Sequence, residues 1–85
     1  MVYEKIDRYT LSKEGRWRFM RIREDKESAR FEGYEILDYL YDNGARTVEE
    51  IENYTGLSHN QVVDKMQALI SQRFIEKLVG PRFLQ

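Results

Sequence analysis

The chain contains no cysteine. That one absence removes disulfides, thiolate metal sites and cysteine nucleophiles together, and it fits the reducing cytoplasm expected here. With a single histidine, a histidine-built metal centre is not expected either. Proline occurs once, at Pro81, so chain punctuation falls to Gly15, Gly33, Gly44, Gly56 and Gly80. No apolar run approaches the roughly 18 residues of a membrane span. The opening MVYEKIDRYT has no apolar stretch of the signal-peptide kind, so no membrane partner is expected. Nor is there an excess of one charge: 14 Lys and Arg face 15 Asp and Glu, which excludes a whole-chain basic footprint for nucleic acid. Also missing are a nucleophile with base and orienting partner and a glycine-rich phosphate loop. Glu49, Glu50 and Glu52 are neighbours on one helix and do not converge on a common point. An enzyme, a cofactor and a small-molecule substrate are therefore not expected.

The 85 residues suffice for one domain with a small core. Hydrophobic residues make up 41% and charged residues 34%, which places the chain among globular rather than disordered sequences. Its charges are segregated. Residues 1–30 carry nine bases and six acids, residues 31–57 one base and seven acids, and residues 58–85 four bases and two acids. Local patches therefore matter more than the total.

Periodicity marks out the elements. VYEKIDRYTL reads as a strand with Tyr3, Ile6, Tyr9 and Leu11 as its apolar residues. SKEGRWRFMRIREDKES predicts a helix capped by Ser12, since REDKE is poor strand material. Either Trp17 and Met20 or Phe19 and Ile22 form its inner side. ARFEGYEILDYLYDNG predicts a second helix, with Tyr34, Ile36, Leu37, Leu40 and Tyr41 on one stripe and a stop at Asn43-Gly44. In TVEEIENYTG, Thr47 and Glu50 have the spacing of a capping box, and Gly56 ends the helix. In LSHNQVVDKMQALISQ, Ser58 and Gln61 form a second such box. There Val62, Val63, Met66, Leu69 and Ile70 make a compact apolar stripe opposite Asn60, Gln61, Asp64, Lys65, Ala68 and Ser71. RFIEKLVGPRFLQ suggests a hairpin with a loose tip at Gly80-Pro81, because proline suits a tight two-residue turn poorly. Trp17 and most tyrosines are expected in the core or an interface.

The order of these pieces, and the pattern E-x-I-x-x-x-T-G-L-S followed by core-spaced aliphatics and FIEK, resembles a winged helix-turn-helix domain of bacterial and archaeal regulators. The resemblance covers residues 31–85. YTLSKEG is similar, over a short stretch, to the strand-to-helix junction that often follows a wing. The implied fold is α+β, mainly helical: a three-helix core with a C-terminal β-hairpin wing, preceded by an N-terminal strand and helix over residues 1–30. That extension is either part of the same domain or a dimerisation arm.

What the resemblance implies is binding of double-stranded DNA in transcription regulation, with base contacts from the first two turns of the third of these helices: His59, Asn60, Gln61, Asp64 and Lys65. Residue chemistry supports part of this. Asn and Gln bond an adenine edge, Lys65 reaches guanine or phosphate, and Asp64 would accept from a cytosine amine. Ser58 and Thr55 suit a phosphate oxygen, and Lys77 and Arg82 flank the expected wing tip. In RWRFMRIR, Arg16, Arg18, Arg21 and Arg23 are candidate phosphate contacts or, alternatively, salt-bridge partners of nearby acids. A homodimer would bury surplus N-terminal aromatics and supply two reading helices. The alternative function is a winged-helix module that docks protein instead of DNA, as the acidic second winged helix would permit. Arg73 stands where such domains commonly have glycine, just before the wing strand.

Overall fold

The computed structural model describes residues 2–25 and 32–84. In chain order these form β1 (Val2–Leu11), α1 (Lys13–Glu24), α2 (Tyr34–Asn43), α3 (Val48–Thr55), α4 (His59–Ser71) and β2 (Ile75–Leu84). The architecture is α+β and mainly helical, with helices between two strands that pair with each other.

The expected C-terminal hairpin does not form. Residues 75–84 are one continuous strand, antiparallel to β1 from Leu11↔Ile75 to Val2↔Leu84. Gly80 and Pro81, expected at a turn, lie within it opposite Ile6 and Lys5. The reason is the competition between partners. A hairpin folded at Gly80 would have arms of four or five residues, and an isolated hairpin is marginal in water. β1 offers a ladder of ten pairs instead. Pro81 is tolerated because every strand of a two-stranded ribbon is an edge, where alternate amides need no partner. On its other side β1 meets the α2–α3 connection: Tyr9 N donates to Arg46 O at 2.8 Å and Arg46 N to Tyr9 O at 3.0 Å.

Helix boundaries follow local signals. Ser12 caps α1, its hydroxyl accepting from Gly15 N at 2.8 Å. α2 begins at Tyr34 after Gly33, whose φ of 88° is left-handed, so the expected start near Ala29 falls outside the described residues. It ends at Gly44, as Asn43-Gly44 predicts. Both capping boxes are present, Thr47 with Glu50 and Ser58 with Gln61.

The core joins all parts of the chain. Leu11 of β1, Phe19 of α1, Ile36, Leu37 and Leu40 of α2, Ile51 of α3, Val62, Met66 and Leu69 of α4, and Phe74 and Ile75 form one buried cluster. On α1 it is Phe19, with Ile22 partly buried beside it, that faces inward; Trp17 and Met20 face out, at 63% and 43% exposure. Trp17 is thus not a core residue. Tyr9, Tyr34, Tyr39 and Tyr41 pack partly buried against the cluster, while Tyr54 is exposed but stacked on Tyr39, ring centroids 4.3 Å apart. Phe19 sits between Tyr34 and Tyr41, at 5.2 and 5.6 Å, so truncating it would cost roughly 3–5 kcal/mol.

Gly15 sets how closely α1 approaches the rest. A Cβ there would lie 2.6 Å from the carbonyl carbon and 2.8 Å from the Cα of Phe74. Ser12 locks the same junction. Its amide donates to Phe74 O at 2.9 Å and its hydroxyl to Arg73 O at 2.7 Å. Arg73 adopts a left-handed φ of 64° where α4 gives way to β2.

Candidate nucleic-acid interface

The turn between α3 and α4 is built from Gly56 and Thr55. Gly56 takes a φ of 74°, which reverses the chain without a Cβ penalty. Thr55 Oγ1 donates to Ile51 O at 2.9 Å and accepts from Leu57 N at 3.3 Å, so this hydroxyl is spent on the turn. Ser58 Oγ accepts from Gln61 N at 3.3 Å, and Gln61 Oε1 accepts from Ser58 N at 3.0 Å. Two of the side chains expected to read DNA are therefore engaged in starting α4. Each must swing out of its box to meet another partner.

The inward side of α4 is Val62, Met66 and Leu69. Val63 is partly buried and Ile70 lies exposed at the margin of the stripe. About 180° from its centre, at about 100° per residue, lie Asn60, Asp64, Gln67 and Ser71. All four are exposed. Gln67 is not among the expected site residues. Its spacing of three from Asp64 and seven from Asn60 places it on the same stripe, and extending the polar face by one more turn finds it.

The other candidates sit at the margins. His59 Nδ1 lies 3.2 Å from Glu52 Oε2 and, with its proton there, donates back to α3. Lys65 Nζ is 3.5 Å from Glu35 Oε1 of α2, and its side chain is only 25% exposed. Lys77 Nζ is 3.2 Å from Asp7 Oδ2, diagonally across the ribbon. Arg82 is placed in β2 opposite Glu4, and its side chain lies outside the described residues.

The α1 arginines divide. Arg23 reaches Asp38 at 3.8 Å and Asp42 at 4.0 Å and lies over Tyr41 at 5.0 Å. Arg16 lies over the same ring at 4.8 Å. Arg18 lies over Phe74 at 3.9 Å and donates to Gln72 O. Arg21 is exposed, with no ion pair among the described residues. Salt bridging, the alternative to phosphate contact, thus describes Arg23. Aromatic stacking describes Arg16 and Arg18.

No protein-family model, curated protein or solved structure matches the chain.

The electrostatics of the helix pair are acidic. Between Thr47 and Ser71 there are four acids, Glu49, Glu50, Glu52 and Asp64, against Lys65 alone. Glu50 is held below its ordinary value of 4.5, chiefly because the Thr47 amide donates to it at 3.1 Å; the Thr47 hydroxyl and Arg46 add to this. What the open stripe offers is a set of short, neutral donors and acceptors with one carboxylate. That chemistry suits edges of bases or of peptide groups rather than a bare phosphate. Among the described residues no group of three or more histidine or carboxylate side chains is placed to hold a metal ion, and no helix is long and apolar enough to cross a membrane.

Proposed function

We propose that this chain binds double-stranded DNA through the outward stripe of α4, as a winged-helix variant that regulates transcription as a homodimer. The observation that carries the reading is the open stripe Asn60, Asp64, Gln67 and Ser71, on a helix entered from α3 through a glycine turn. A major groove about 12 Å wide admits one helix, and amide side chains on its leading turns reach base edges. β2 follows the presented helix directly, as a wing strand would, and β1 takes the place of the second wing strand. Lys77 and Arg82 both belong to β2 of that ribbon.

Binding is weak for one protomer. Lys65 and Lys77 already have carboxylate partners, so few counterions are released when they meet phosphate. A slope of log affinity against log salt of about −2 to −4 follows from two to four phosphate contacts. Two-fold pairing of protomers on a palindromic site raises the affinity.

One observation favours a second reading, docking of a protein. The four acids against one lysine in α3 and α4 would attract a basic partner more readily than a phosphate backbone. Titration of a labelled random duplex at about 50 and about 200 mM salt separates the two. The DNA reading expects saturable, salt-sensitive binding that Asn60→Ala with Gln67→Ala weakens. Absence of binding at the lower salt overturns it and leaves protein docking.

A further inference from the structure

The outer face of α1 carries a pattern that α4 and the ribbon do not use. Lys13, Trp17, Met20 and Glu24 are spaced four, three and four apart. At about 100° per residue they fall within a sector of about 60°. This is the seam spacing of a short coiled coil, with apolar residues at its middle and opposite charges at its ends. Trp17 is 63% and Met20 43% exposed, while Lys13 and Glu24 are both exposed. Lys13, Glu14, Arg21 and Glu24 have no ion-pair partner among the described residues.

We infer that α1 is the homodimer interface, pairing antiparallel with α1 of a second copy about a two-fold axis between the positions of Arg18 and Phe19. The outer face of α1 is self-complementary in that arrangement. Under that axis position 13 meets 24 and position 17 meets 20. Lys13 then faces the partner's Glu24, and Trp17 faces the partner's Met20, a sulfur-aromatic contact. Both contacts recur by symmetry. Glu14 and Arg21 lie on one flank of the seam and meet the partner's Arg21 and the partner's Glu14. On the other flank like charges would meet, but there Arg16 and Arg23 are turned onto Tyr41, and Arg23 is neutralised by Asp38 and Asp42. A parallel pairing would set Lys13 against Lys13 and Glu24 against Glu24, so the charges also select the direction.

The seam is twelve residues long, the length of α1. It buries no more than the low end of the roughly 1,200–2,000 Å² of stable complexes, so dissociation in the range of about 10–100 μM is expected. This inference supplies the two-fold partner of the proposed function. It is tested without DNA, so its failure leaves the reading of α4 standing.

The experiment is sedimentation equilibrium across that concentration range, with emission of Trp17, the only tryptophan, recorded in parallel. The wild type is expected to dimerise, with a blue shift of Trp17 emission as it does. Lys13→Glu and Glu24→Lys are each expected to weaken self-association roughly tenfold, since each places two like-charge contacts in the seam. Mixing the two variants restores dimer, because both seam positions of the first are then acidic and face two basic positions of the second. The doubly exchanged chain also recovers it. Far-UV circular dichroism identifies any variant that fails to fold, and the doubly exchanged chain then carries the test. A wild type that stays monomeric, a dimer with unshifted Trp17 emission, or folded variants that do not recover association when mixed overturns the proposal. So does a monomer whose Trp17 emission shifts on adding oligo-dT, which would assign the ridge to single-stranded nucleic acid.

Discussion

Replacing Gly15 with alanine sets helix propensity against the closeness of two backbones. On an isolated helix the change would stabilise by roughly 0.5–1 kcal/mol. Here the new methyl would lie 2.6 Å from the Phe74 carbonyl carbon, and closer still to its oxygen. Ordinary carbon-oxygen contacts begin at about 3.3 Å, so α1 or the α4–β2 junction must retreat by roughly 1 Å. That junction is not free to move. Phe74 is buried, its carbonyl accepts from the Ser12 amide at 2.9 Å, and the next residue opens the ladder opposite Leu11. Overpacking of this kind costs about 1–3 kcal/mol, and straining the Ser12 bonds adds roughly 1 kcal/mol. Net of the propensity gain, a destabilisation of about 1–3 kcal/mol is expected. At about 4–8 °C per kcal/mol for a chain of this size, the melting temperature falls by roughly 5–25 °C. Urea unfolding followed by far-UV circular dichroism measures it, with an unchanged m value showing that stability, and not the surface exposed on unfolding, has changed. An alanine variant as stable as the wild type, or more so, would mean that α1 does not seat on Phe74 and would refute the packing described.

Arg73→Gly relieves a left-handed residue at φ 64°; since such a conformation costs an L-residue roughly 1–2 kcal/mol and glycine loses part of that in entropy, a gain of about 0.5–1 kcal/mol in urea unfolding is expected. Ser58→Ala removes one half of the α4 capping box and is expected to cost about 1 kcal/mol in the same assay. Glu50 gives a pH dependence of known sign. Its folded pKa lies below its unfolded one, so its stabilisation is present above pH 4.5 and is lost as pH falls through the folded value. Glu50→Gln is expected to flatten stability against pH in that acid window only. The effect is small because the side chain is 45% exposed, and an equal slope in both proteins below pH 4.5 contradicts the capping geometry.

Local features of the fold are legible in the sequence, and nonlocal ones are not. The two capping boxes, the stop at Gly44 and the Gly56 turn each depend on residues within four positions, so spacing alone locates them. The sequence leaves the inner face of α1 open between two pairs because both are apolar. Only the arrival of Tyr34 and Tyr41 around Phe19 decides it. VYEKIDRYTL is legible as a strand and forms β1, but the pairing that makes the ribbon is beyond local reading. Its pairs join residues some 60 to 80 positions apart, and RFIEKLVGPRFLQ is compatible with a hairpin until β1 competes for it. At the candidate site, the amphipathic division of α4 identifies the outward stripe. It does not reveal that Thr55, Ser58 and Gln61 bond within the turn and the cap, or that Lys65 and Lys77 meet Glu35 and Asp7. Nor does the sequence announce the left-handed backbone of Arg73, since arginine carries no local signal for a positive φ.

If the outward stripe of α4 meets DNA as proposed, backbone amide chemical shifts will report it residue by residue. Adding a short duplex to the isotopically labelled chain at low salt is expected to move the amides of Asn60, Asp64, Gln67 and Ser71, with smaller movements along β2. Shifts confined to α1, or none at saturating duplex, would contradict it.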